Sequence, residues 1–171
     1  MAFPDIILVT LLAVSLYTDI KERKILNIVT VPAAGAGLLY NAAAGGLAAG
    51  LKVSLGGLLL GMGLLIIPFL MGGIGSGDVK LLGAIGALKG PVFVLYAGLA
   101  SAIAGGLLAV LLLVYRGTLV QVLKNTAWGF ATLKGSFLSG GNLIGGSFPY
   151  GIAIAAGTVF TLLTGWNTWL G

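Results

Sequence analysis

The sequence predicts an all-α polytopic membrane protein, a bundle of about six transmembrane helices forming one domain over residues 1–171. Three observations predict it. Only 8% of the residues are charged and 58% are hydrophobic, whereas an ordinary soluble domain carries roughly 25% charged residues. A soluble fold of this size cannot cover its surface with so few charges, and the mean hydropathy of +1.14 agrees. Long Leu/Ile/Val runs recur, several of them near the ~20 apolar residues that a helix needs to cross the hydrocarbon core. Thirty glycines suit helix contacts in lipid, where small residues let backbones approach. The apolar runs argue against the alternative, a Gly-rich disordered chain.

The first span is residues 3–18. Pro4 and Asp5 open it, and proline suits a first helical turn while an acid there complements the helix dipole. A signal peptide would place its basic residues before the apolar run; here the charges of "DIKERK" (19–24) follow it. Residues 25–44 form a second span without charge, and "GGLAAG" (45–50) is a short connection. Residues 53–71 form a third span, with Lys52 at its start. The Gly-rich stretch "GGIGSGD" (72–78) follows, then a short fourth helix over 79–90. Residues 91–115 form a fifth span. Residues 147–169 form a sixth, closing with Trp166 and Trp169 at an interface that suits tryptophan.

Between the fifth and sixth spans lies "RGTLVQVLKNTAWGFATLK" (116–134). Leu119, Leu123, Ala127 and Phe130 recur at helical spacing, with Gln121, Lys124 and Asn125 on the other side. The pattern predicts an amphipathic helix on the membrane surface; a loop helix packed on the bundle is the plainer alternative. Residues 135–147 read as a flexible connector. Lys21, Arg23 and Lys24 follow span one, and Arg116, Lys124 and Lys134 follow span five, so six spans put both groups on one face. The opposite face has Lys52 and Lys89. The positive-inside rule then puts loops 19–24 and 116–146 in the cytoplasm and both termini outside. The net charge of +5 serves orientation in this reading and implies no nucleic-acid partner; membrane lipids are the surroundings.

With no cysteine and no histidine, disulfides, thiol catalysis, Cys or His metal sites and imidazole bases are excluded. The carboxylates are Asp5, Asp19, Glu22 and Asp78. The topology places Asp19, at the end of span one, and Asp78, at the start of helix four, on the same membrane face at similar depth. Charges at membrane depth are costly and mark function. Two carboxyls within a few ångströms share a proton, so one can act as base toward a water while the other polarises a peptide carbonyl. No cofactor or metal is needed. Gly72, Gly73, Gly75 and Gly77 would let a substrate backbone approach, or a turn adopt φ > 0. Each acid also has a plainer reading: Asp78 as a helix cap, Asp19 as part of a solvated charged loop. Glu22 reads as a loop residue and Asp5 as a dipole partner on the far face. Lys80 either snorkels to the surface or adjusts Asp78. A phosphate loop would need a following Gly-Lys-Ser/Thr, which is missing.

"GSGDVKLLGAIGALKGP" (75–91) resembles the Gly-x-Gly-Asp motif of the type IV prepilin peptidases, followed as in that family by x-Lys and small and apolar residues. "DIKERKILN" (19–27) resembles the family's first aspartate motif, with Leu26 where a proline is usual before Asn27. "FPYGIAIAAG" (148–157) resembles its closing segment through Pro149, Tyr150 and Gly151. The resemblance implies a membrane aspartic endopeptidase with Asp19 and Asp78 as catalytic acids at the cytoplasmic membrane boundary. It implies Gly75, Gly77, Lys80, Arg23, Asn27, Pro149, Tyr150 and Gly151 as motif or supporting residues. The implied partner is a prepilin-like protein, cut after its short basic leader and before its hydrophobic helix, in a pilus or secretion system. Larger members also methylate the new N-terminus and carry a cytoplasmic insertion, often with paired cysteines. Lacking both, this chain is similar to the short, peptidase-only form. Presenilin-type proteases share Gly-x-Gly-Asp but carry a Tyr-Asp motif, and here Thr18 separates Tyr17 from Asp19. Two rivals from other classes are a small transporter or channel built on paired carboxylates, and a non-catalytic scaffold of a secretion machine.

Overall fold

The computed structural model describes residues 3–22, 24–70, 73–115, 117 and 150–165. They form six helices: α1 (Phe3–Glu22), α2 (Asn27–Gly45), α3 (Leu47–Leu70), α4 (Ser76–Lys89), α5 (Pro91–Tyr115) and α6 (Tyr150–Thr164). No strand occurs among the described residues. α1, α2, α3 and α5 are long and apolar enough to cross a membrane, whereas α4 has 14 residues and α6 has 15. The chain is an all-α polytopic membrane protein. The proposed amphipathic helix, the 135–147 connector, Trp166 and Trp169 lie outside the described residues.

The boundaries differ from the hydropathy reading wherever a helix outlasts its apolar run. α1 continues through Asp19 to Glu22, because charged residues propagate a helix as well as apolar ones do. The expected 45–50 connection shrinks to Gly46, whose φ of 82° only glycine adopts cheaply. Residues 47–50 are already the first turn of α3. α4 starts at Ser76, not at 79: Gly75 is its N-cap, and Asp78 accepts the Gly75 N–H at 3.0 Å. The acid thus holds the helix start that hydropathy could not show. α5 has the expected bounds.

α4 is the centre of the bundle. Every residue from Asp78 to Leu88 except Lys80 is buried, as expected of a helix that is apolar on all sides. It packs against α3, α2 and α5. Glycine sets these contacts: Gly57 and Gly86 meet backbone to backbone, and a Cβ at Gly37 would stand 2.6 Å from the Ala87 carbonyl oxygen. The last carbonyls of a helix have no partner within it. Here Asn41 Nδ2 donates to the oxygens of Ala87 (3.1 Å) and Leu88 (3.4 Å), and to Ser54 Oγ at 2.8 Å. Ser54 Oγ donates in turn to Ala87 O at 2.8 Å. Beyond this knot, Lys89 Nζ pairs with Asp5 Oδ1 at 2.5 Å, joining the end of α4 to the start of α1. Asp5 is therefore more than a dipole partner. The ion pair marks one end of the bundle and the two remaining aspartates mark the other.

Candidate active site

α1 and α4 run in opposite senses, so the end of one and the start of the other share a level. Asp19 comes from the last turn of α1 and Asp78 from the first turn of α4. Both line one cavity of about 390 Å³, together with Lys24, Ile25, Leu26, Asn27, Lys80 and the run Gly75–Gly77. The two acids lie within Coulombic reach of each other. Each is only 7% exposed, and among the described residues neither makes an ion pair. Asp19 Oδ2 and Asp78 Oδ1 are buried with no hydrogen-bond partner among the described residues. Buried polar groups are nearly always satisfied, so Asp78 Oδ1 has bonding capacity left for a peptide or a water, while Asp19 Oδ2 stands against the Gly151 backbone of α6.

Three elements frame the pair. The segment 24–26 between α1 and α2 folds over the start of α4: a Cβ on Gly77 would lie 2.9 Å from Ile25 Cβ. Gly77 therefore makes room for the protein's own loop. Gly75, with φ −81° and ψ 154°, makes room for the acid, since a Cβ there would lie 3.3 Å from Asp78 Oδ2. The alternative that this stretch adopts φ > 0 is not met at Gly73, Gly75 or Gly77; among the described residues the left-handed glycines are Gly46, Gly90, Gly117 and Gly165. From the third side, α6 brings Gly151 against Asp19, where a Cβ would come within 2.5 Å of Oδ2. Tyr150 stands within Coulombic reach of Asp78 and packs its ring on Gly105 of α5.

Lys80, left open between two roles, has a third. Its Nζ donates to Asn27 Oδ1 at 3.0 Å, tying the first turn of α4 to the first turn of α2. The side chain is exposed at the rim of the cavity rather than bonded to Asp78. So the structure brings together Asp19, Asp78, Gly75, Gly77, Lys80, Asn27, Tyr150 and Gly151, while Arg23 and Pro149 lie outside the described residues. The sequence alone does not single out Ser76, Ile25 and Lys24 as lining residues; the charged and apolar alternation of 19–27 gives no sign that this loop closes over helix four.

Chemically, two desolvated carboxyls on one cavity can hold a single proton between them and present one basic and one acidic oxygen. Among the described residues no group of three or more acidic side chains could hold a metal ion.

No curated protein and no solved structure matches the chain. The sequence profile of the type IV leader peptidase family matches residues 6–110. That stretch holds both cavity aspartates and runs from the first turn of α1 almost to the end of α5, and by this match the chain belongs to the type IV leader peptidase family.

Proposed function

We propose that the protein is a membrane-embedded aspartic endopeptidase that removes the leader of type IV prepilin-like proteins at the cytoplasmic membrane boundary, with Asp19 and Asp78 as its catalytic acids. Membership of a peptidase family gives the reaction class. The observation that carries the rest is the pair of nine-tenths-buried carboxyls, from two helices, lining one cavity.

In the proposed step the ionised carboxyl takes a proton from a water whose oxygen attacks the scissile carbonyl carbon. The protonated carboxyl gives its proton to the carbonyl oxygen, forming a neutral diol. Collapse of the diol breaks the C–N bond as a proton passes to the leaving amine, and the pair returns to one proton. Gly75 keeps the approach to Asp78 open. Lys80 and Asn27 hold the rim, and Gly151 lets α6 close on Asp19. Clustering of both acids at one end of the bundle, rather than along a path through it, favours this over a transporter.

The test is cleavage of a purified prepilin-like substrate in detergent or liposomes. Wild type releases the leader. Asp19→Asn and Asp78→Asn each lose at least about 10³-fold in rate, because each removes half of one proton-sharing unit. The rate–pH profile is bell-shaped, since both limbs remove the singly protonated pair. Near-wild-type rates in either variant refute the pair, and proton or ion flux through wild type without cleavage selects the transporter.

A further inference from the structure

The two cavity acids belong to different helices, and α1 rests on α2, α6 and α4. Beside the apolar core that Leu8, Leu11 and Leu12 share with α4, the Lys89–Asp5 ion pair, the sole ion pair among the described residues, ties the two acid-bearing helices at one end. Its side chains are only 16% and 18% exposed. Lys89 Nζ also lies 5.5 Å from the centroid of the Phe93 ring, which is 1% exposed, so the cation is held from two sides. The helix lengths match this joint. Asp5 to Asp19 is fourteen residues, about 21 Å of rise, and Asp78 to Lys89 is eleven, about 16 Å. The shortfall of about 5 Å is within the reach of an extended lysine side chain. With the helices antiparallel and joined at one end by this pair, the two carboxylates come level at the other.

We propose that Asp5 and Lys89 are positioning residues that set the register of α1 against α4, and through it the separation of Asp19 and Asp78. The inference rests on the peptidase reading for its effect on rate, though not for its effect on geometry. Asp5→Asn leaves the Lys89 ammonium without its carboxylate in apolar surroundings, and Lys89→Met removes the tie itself. α1, released from α4 at this end, then shifts against it, and the shift reaches the far end of a rigid helix.

The chain has no cysteine, so spin labels can be placed at Ile20→Cys and Ser76→Cys, two exposed positions at the acid end of α1 and α4. Pulsed electron resonance of the reconstituted protein then reads their separation. Lys89→Met broadens and shifts the distance distribution, and Lys89→Arg retains the wild-type distribution. In cleavage assays without labels, Lys89→Met lowers kcat about tenfold or more with KM within about twofold, because the substituted end is remote from the cavity; Lys89→Arg restores kcat. Asp5→Asn, which keeps the shape of the side chain, gives the same two changes and serves where Lys89→Met does not fold. An unchanged distance distribution in Lys89→Met or Asp5→Asn overturns the proposal, whatever the activity does. So does a loss of kcat that Lys89→Arg fails to restore. Because the distance is read without substrate, failure of the register and failure of the peptidase reading are separate results.

Discussion

Leu26 shows how a departure from a motif can be conformationally silent. It stands where the family's proline is usual, and it adopts φ −80° and ψ 131° as the N-cap of α2. Proline holds φ near −65 ± 15°, so the backbone is already in proline's basin. The Leu26 carbonyl accepts from Val29 and Thr30, and proline keeps that carbonyl. Leu26→Pro should therefore stabilise the protein by about 0.4–1 kcal/mol by restricting the unfolded chain, read as a higher midpoint in denaturant titration. Gly151 is the opposite case. It has no freedom to spare, because any Cβ runs into the Asp19 carboxylate. Gly151→Ala should push Asp19 or α6 aside at about 1–3 kcal/mol and depress cleavage at least tenfold. A variant with wild-type rate and stability would show that α6 does not press on the acid. The aspartates were legible in sequence because acids are rare in an apolar chain. The fit of Gly151 on Asp19 was not, since a glycine in "YGIAIAAG" reads as one small residue among several until α6 is placed beside α1.

Among the elements, α4 is the one on which the others depend. Its central place was only half legible: the small and apolar residues of 79–90 suggested a short helix, but not one enclosed by α2, α3 and α5. The missing information is which glycines face a neighbour. Gly86 does, meeting the Gly57 backbone, whereas Gly63 on α3 has no atom within 4 Å of a Cβ position. Gly86→Ala should force α3 and α4 apart and destabilise by about 1–3 kcal/mol. Gly63→Ala should be neutral, or stabilising by up to about 1 kcal/mol from helix propensity. Equal effects of the two in the same unfolding assay would refute the close α3–α4 packing. Asn41 is legible only as a polar residue in a span. In the fold it bridges three helices, donating to Ser54 and to the last carbonyls of α4. Asn41→Leu leaves those buried oxygens short of donors and should cost about 1–3 kcal/mol.

For the whole molecule, the packing and the charge pattern make one joint prediction about orientation. The end holding Asp19 and Asp78 also holds Lys21, Lys24 and Lys80. Arg116, Lys124 and Lys134 follow α5 in sequence. At the opposite end, Lys89 is neutralised by Asp5, which leaves Lys52 as the remaining lysine among the described residues there. Counted as Lys and Arg, the excess lies at the end that holds Asp19 and Asp78. Lys/Arg excess in short loops sets orientation toward the cytoplasm, so the cavity end should face inward and the Gly46 turn outward. With no native cysteine, single cysteines read this directly. Ala48→Cys, exposed beside the Gly46 turn, should react with a membrane-impermeant maleimide in intact cells. Ser76→Cys, at the cavity rim, should react only after the membrane is opened. Lys89→Met should leave this pattern unchanged, since it takes no cation from the end that holds the acids. Labelling of Ser76→Cys in intact cells, with Ala48→Cys protected, would put the acid pair on the outer face and leave a cytoplasmic leader out of its reach.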